Sequence, residues 1–218
     1  MLVPGKEDEA LNRAKAIRLF LASSNPGKLN EFRVLSASTA FLVSFDLQLL
    51  PHFSDLPPFE ESSPTFGENA AGKALHYSRF ADQPVMADDS GLVVDALGGA
   101  PGVHSARYAG LSASSAERIA KLLAEMRASG STDRRARFVC VLALALRGRV
   151  VAVFSDAVEG VLLQAPRGTG GFGYDPVFSF GPTNHSFAEI SADEKNRCSH
   201  RAKAFRRLAD FLASSPVL

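Results

Sequence analysis

The run Phe138 to Leu146 is almost uninterruptedly apolar. A strand with one wet face alternates apolar and polar residues, so an unbroken run of this length reads as a strand covered on both sides. Such a strand requires layers above and below it, and the rest of the chain supplies them. Ser115 to Ala128 carries Ile119, Leu122, Leu123 and Met126 at helical spacing. The C-terminal segment places Phe205, Leu208, Ala209 and Leu212 on one face, with Lys203, Arg206 and Arg207 elsewhere. Thr65-Phe66-Gly67-Glu68 fits a capping box, after which Phe66, Ala70, Ala74, Tyr77 and Phe80 share a buried side. Strands are expected at Ile17 to Ala22, Phe41 to Phe45, Pro84 to Ala87, Leu92 to Val94, Val150 to Phe154 and Ala157 to Leu163. Arg147-Gly148-Arg149 turns a hairpin. A helix-like segment runs from Leu29 to Leu35, and the stretch between Pro51 and Pro64, with Pro57 and Pro58, is a loop. This order of strands and helices predicts an α/β fold with a mixed sheet.

A chain of 218 residues can bury a large core, as one domain or as two closely joined lobes. Residues 1–15 read as a loosely ordered extension and 16–218 as the folded unit. Net charge is +1, so the molecule as a whole lacks the electrostatic footprint of a nucleic-acid binder. Met1 to Lys15 has no apolar signal-peptide core, and no segment approaches the roughly 20 apolar residues that a membrane span needs. Cys140 and Cys198 lie far apart with no metal-ligand spacing. Cys140 sits in the apolar run as a small core residue, and a cytoplasmic setting suits this usage.

Five segments could carry chemistry. Asp88 and Asp89 stand side by side between Ala87 and the expected Ser90-Gly91 turn. Two ionised neighbours repel, and a divalent cation with hard oxygen ligands relieves both charges; a solvated turn is the alternative. Ser23-Ser24-Asn25-Pro26-Gly27-Lys28 lies between a strand and a helix. There, backbone N–H groups and the helix dipole favour an anion, and Lys28 adds a point charge, although the segment is not a Walker A loop. Asn69 and Lys73, four apart, share a helix face on which Lys73 is placed for a phosphate or for snorkelling to solvent. Phe172-Gly173-Tyr174-Asp175 offers aromatic faces for a nucleobase and a carboxylate for its N–H groups; alternatively Phe172 returns to the core. Ser199 is a fair N-cap for the last helix, and His200 and Arg201 just inside it are donors suited to a 6-oxo group or members of a solvated basic helix.

In combination these segments resemble the inosine/xanthosine triphosphate pyrophosphatase family, which hydrolyses deaminated purine nucleoside triphosphates. The matching blocks are Ser23 to Lys28 with Glu31, Thr65 to Ala74, Ala87 to Gly110, Phe172 to Phe178 and Glu194 to Ala204. The resemblance implies an elongated two-lobed α/β fold around a central mixed sheet, a homodimer, and a nucleotide with Mg²⁺ in the cleft between lobes. By carry-over, Ser23, Ser24, Asn25, Pro26, Gly27, Lys28 and Lys73 hold the triphosphate, with Asn69 beside them. Asp89 is general base or metal ligand, Asp88 a further ligand, and Ser90 a substrate contact. Phe172, Gly173, Tyr174, Asp175, Lys195, His200 and Arg201 surround the base. A glutamate of the acidic loop, Glu61 or its neighbour Glu60, completes the metal set. Lys28, Lys73 and Asp89 form the expected catalytic group.

Two other readings stand beside this one. The first is a purine nucleotide-binding module without chemistry, against which Asp89 and Lys28 both count. The second is a pyrophosphatase for pyrimidine or modified triphosphates, whose first loop carries Ser-Pro-Arg-Arg where this chain has Asn25-Pro26-Gly27-Lys28.

Overall fold

A computed structural model of the chain describes residues 16–38, 40–181 and 184–214. The expected N-terminal extension lies outside the described residues. One six-stranded mixed sheet runs in the order β2-β1-β3-β4-β5-β6. Its strands are β1 (Ile17–Leu21), β2 (Phe45–Leu49), β3 (Val85–Val94), β4 (Arg135–Leu146), β5 (Arg149–Leu162) and β6 (Phe178–Ser179). β1 pairs in parallel with β2 and β3, and the remaining neighbours are antiparallel.

The apolar run of β4 is central, as its pattern demands, and Leu142, Ala143, Leu144 and Ala145 are wholly buried. One face of the sheet meets α1 (Pro26–Ser36) and α5 (His200–Ser214) through Leu19, Met86, Leu142, Phe32 and Phe205. The opposite face meets α2 (Phe66–Tyr77) through Val85, Ala87, Ala143, Ala70 and Ala74. The far ends of β3 and β4 pack Leu92, Val94 and Phe138 against α3 (Ser115–Ala128). A short helix, α4 (Ala192–Cys198), precedes α5. Cys140 is buried in the sheet, and Ser199 caps α5 by accepting the Ala202 N–H.

Several expectations are corrected. β3 is one continuous strand, paired with β4 along its whole length, so Asp88 to Gly91 forms no turn. The antiparallel ladder overrides the local preference of polar residues for a bend. β5 is likewise a single strand where two were expected, held straight across Ser155 and Asp156 by β4. β2 begins at Phe45, because only Phe45, Leu47 and Leu49 alternate correctly for a strand at the sheet edge. α1 begins at Pro26, whose missing N–H costs nothing in the first helical turn. Phe80 falls beyond α2 in a 3₁₀ turn and is 46% exposed, outside the buried face assigned to it. At Thr65 the cap is half a box: its hydroxyl oxygen accepts the Glu68 N–H, but the Glu68 carboxylate takes the Thr65 hydroxyl rather than a backbone N–H.

Candidate active site

The cleft lies where β1, β3 and the loops around them converge, and encloses about 550 Å³. Alternation along β3 decides its chemistry. Asp88 faces α1 and α5 with Met86, while Asp89 faces α2 with Ala87. The two acids therefore take opposite faces of one strand, although Lys28 and Lys73 lie close enough to act on both.

Asp88 is fully buried, and its Oδ2 lies 2.9 Å from Lys28 Nζ, 3.9 Å from Arg201 Nε and 3.0 Å from the Ser90 hydroxyl that donates to it. Burial works against its charge, but Lys28, Arg201 and Lys73 outweigh burial and hold it below the ordinary carboxylate range. The printed ion pairs of this carboxylate all fall on Oδ2. Its Oδ1 has no hydrogen-bond partner among the described residues, so one oxygen of Asp88 stays open beside the cations on Oδ2.

Asp89 is only 5% exposed and lines the cleft, with its Oδ2 accepting from Asn69 Nδ2 at 3.0 Å. Burial first, and the nearby charge of Glu61 second, push it from 3.8 up to about 6. Asn69 itself is wholly buried and aims Asp89; its other contacts are the main-chain N–H and C=O of Ser63. Lys73 Nζ lies 2.5 Å from Glu61 Oε1. Burial disfavours the Lys73 charge, but Asp88 and Glu61 more than compensate and raise its pKa. The structure thus brings Glu61, Lys73 and Asp89 to one wall of the cleft; Glu60, the other candidate in that loop, is exposed.

The residues present fit a Mg²⁺ ion. Glu61 and Asp89 are close enough to raise Asp89 by like-charge repulsion, and a cation between hard oxygens removes that repulsion. Among the described residues, no cage of three or more metal-ligating side chains exists. That suits an ion which takes one or two carboxylates and completes its shell with phosphates and water.

At the mouth of β1, Asn25 caps α1 with its own side chain, accepting from the Gly27 and Lys28 amides at 2.9 and 3.2 Å. Those N–H groups, expected to await an anion, are already satisfied, which leaves the helix dipole and Lys28 to attract one. Ser23 is buried and accepts the Asn25 N–H, while Ser24 and Pro26 are exposed at the rim.

The opposite end is built by the glycine-rich loop and the C-terminal helices. Phe172 neither returns to the core nor stands free. Its ring lies 4.9 Å from Lys195 Nζ and 5.0 Å from Arg201 Cζ, and it seats on Gly27, where an added Cβ would come within 2.8 Å of it. Asp175 is buried with its Oδ2 held by the Phe172 N–H and by Lys195 Nζ at 2.5 Å, and burial raises its pKa. Its carboxylate braces the loop at the cleft wall. Tyr174 is buried too, with its hydroxyl donated to the Ser105 carbonyl; Gly173 lines the cleft beside it.

Glu31, quoted above only as part of a matching block, proves central: its carboxylate takes Lys195 Nζ at 2.7 Å and Arg201 Nη1 at 2.8 Å. Its place one helical turn after Lys28 was the available signal. Arg201 also donates to Ser90 Oγ at 2.9 Å. It is 6% exposed and His200 1% exposed, so neither belongs to a solvated helix face. His200 stacks on Phe138 at 4.7 Å; burial and then Arg201 keep it neutral, and among the described residues neither ring nitrogen has a hydrogen-bond partner.

Fold and site together define an α/β protein with a nucleotide-sized cleft, cationic along its length and carrying at one wall an acid, Asp89, that has no ion pair among the described residues. The chain belongs to the Ham1 family, whose model matches residues 19–211. Among its relatives, the dITP/XTP pyrophosphatase of Geobacillus kaustophilus is 48% identical over 190 residues, covering 87% of this chain and 91% of that protein. The dITP/XTP pyrophosphatase of Thermus thermophilus is 44% identical over 202 residues, covering 93% and 95%. A solved Ham1 protein from Coxiella burnetii superposes with a TM-score of 0.80 at 39% identity, covering 91% of this chain and all of the other. The Staphylococcus aureus Ham1 structure gives 0.77 at 36%, covering 89% and 97%.

Proposed function

We propose that this protein hydrolyses deaminated purine nucleoside triphosphates (ITP, dITP and XTP) to the monophosphate and pyrophosphate. The observation that carries the reading is Asp89: a buried carboxylate held near pH 6 and aimed by Asn69 into a cleft lined by Lys28 and Lys73. Its pKa suits it to accept a proton at neutral pH. Lys28 and Lys73 hold the phosphate chain, so a water oxygen attacks the α-phosphorus, the bond to the bridging oxygen breaks, and pyrophosphate leaves. Asp89 takes the water's proton. Glu61 and Asp89 would hold Mg²⁺, which would supply neutralisation of the phosphate charge.

At the other end, Phe172 offers a stacking face beside Arg201. A 6-oxo group would accept from a donor at this end of the cleft, where Arg201 lines the wall. Adenine's amino group would leave that donor unpaired, and an unpaired buried donor supports large discrimination. The names of the relatives support the same substrates. The proposed unit is residues 16–218, with two lobes around the cleft, acting as a cytoplasmic homodimer. The resemblance supports the dimer, and two free cysteines suit a reducing compartment. Among the described residues no helix is long and apolar enough to cross a membrane.

The test is incubation with Mg²⁺ and ITP, XTP, GTP or ATP, with the phosphorus product identified. Pyrophosphate from ITP and XTP well above GTP and ATP is expected. Orthophosphate would place attack at the γ-phosphorus, and saturable binding of ITP without product would leave a binding module.

A further inference from the structure

The acidic loop that carries Glu61 is rich in proline and has little regular structure of its own, yet Glu61 must sit at a defined distance from Asp89 to act with it. On one side the loop is fastened to α2. The Phe59 N–H donates to Tyr77 Oη at 3.2 Å, Phe59 covers Gly72, and Asn69 grips Ser63 through both its N–H and its C=O. On the other side, Arg107 Nη2 donates to the main-chain carbonyl of Glu61 at 2.7 Å.

Arg107 comes from the 3₁₀ turn Gly102–Arg107, beyond the end of β3, and that turn is itself seated on β3 next to Asp89. The Ser105 hydroxyl accepts the Leu92 N–H at 3.0 Å and donates to the Gly102 carbonyl at 2.7 Å. The turn lies so close that a Cβ at Gly91 would fall 2.4 Å from Ser105 Oγ and 2.5 Å from the Gly102 oxygen. Both fastenings of the loop therefore refer back to β3: one through Asn69 to Asp89, the other through Arg107 and Ser105 to Gly91 and Leu92.

We propose that Arg107 is a positioning residue which, through the Glu61 carbonyl, sets the Glu61 carboxylate against Asp89 and so completes the divalent-cation site. Asn69 holds the second end of the same short segment. Arg107 does not touch the substrate; it acts by keeping residues 61–63 in one conformation. This inference rests on the pyrophosphatase reading for its kinetic arm only.

The experiment compares wild type with Arg107→Met, which keeps the apolar stem, and Arg107→Lys, which keeps a donor of shorter reach. Three experiments are run: amide hydrogen exchange, Mn²⁺ affinity by the free-ion paramagnetic resonance signal, and steady-state kinetics giving kcat and KM for ITP. In Arg107→Met the Ser62 and Ser63 amides should exchange several-fold faster while those of α2 do not change. Mn²⁺ affinity should fall about tenfold, and kcat by a similar factor, as for loss of a ligand's supporting group. KM should stay within about twofold, since Lys28, Phe172 and Arg201 are untouched, and Arg107→Lys should recover part of each loss.

Wild-type exchange and Mn²⁺ affinity in Arg107→Met would overturn the proposal. So would a raised KM with unchanged kcat, which would make Arg107 a direct phosphate contact. Faster exchange throughout β3 and α2 would also overturn it, in favour of a general structural role. If the wild-type protein released no pyrophosphate from ITP, the activity reading would fall, and the exchange and Mn²⁺ arms would still decide the role of Arg107.

Discussion

Asp89→Asn should make the protein more stable while removing its activity. Folding raises the Asp89 pKa from 3.8 to about 6, so the folded protein holds this proton more tightly than the unfolded chain does. Stability from that proton is present in full below about pH 4 and is lost as pH climbs through 6. At pH 7.5, in the absence of metal, the ionised carboxylate costs about 3 kcal/mol, from roughly two pKa units at 1.36 kcal/mol each. Asparagine keeps an oxygen for the Asn69 donor but carries no charge, so it recovers that energy as an upper bound. For a chain of this size the gain is roughly 6–12 °C in Tm. Thermal unfolding in EDTA should show the gap at pH 7.5, shrunken to about half at pH 5, where wild type is mostly protonated. Added Mg²⁺ should raise the Tm of wild type more than that of the variant, by binding the folded carboxylate. A variant that is no more stable than wild type at pH 7.5, or a gap unchanged between pH 5 and 7.5, would refute the reasoning.

The same proton should appear in the kinetics: kcat/KM is expected to fall tenfold per pH unit on the acid side, with a limb at or below about 6 that moves lower as Mg²⁺ is raised. A flat profile between pH 4.5 and 7 would remove Asp89 as the base. Gly27→Ala puts a Cβ against the Phe172 ring and should raise KM for ITP roughly 3–30-fold by displacing that ring from Lys195 and Arg201. Unchanged KM would show that the ring's seat does not matter. Lys195→Met strips the cation shared by Glu31 and Asp175, and urea unfolding should report a loss of about 3 kcal/mol. A loss under about 1 kcal/mol would mean that Arg201 alone satisfies the pair.

The sheet's centre was legible because β4 is apolar enough to admit one reading, and α3 because its apolar spacing has one period. β3 was not, since a strand interrupted by Asp-Asp-Ser-Gly looks like a turn until β4 is known to pair with all of it. The site residues were recognisable as types: Lys28, Lys73, Glu61, Asp89, Phe172 and Arg201 do line one cleft. Their division of labour was hidden, because it depends on which face of a strand each acid takes and on long-range partners. Nothing local tells Asn69 to aim Asp89 twenty residues on, or Arg107 to hold a carbonyl at residue 61. Asn25 shows the reverse case: a local cap, readable from the helix start, that uses the amides expected to receive a phosphate.

Asp88 and Asp89 owe their different fates to a single step along one strand. A slip of one residue between β3 and β4 would exchange them, turning the salt-bridged acid toward α2 and the titrating one into the cations of Lys28 and Arg201. No substitution at either position would be needed to lose the site. The long ladder from Val85 to Val94 is thus a reading frame for the chemistry, and an insertion or deletion anywhere inside it is a frameshift at the level of the fold.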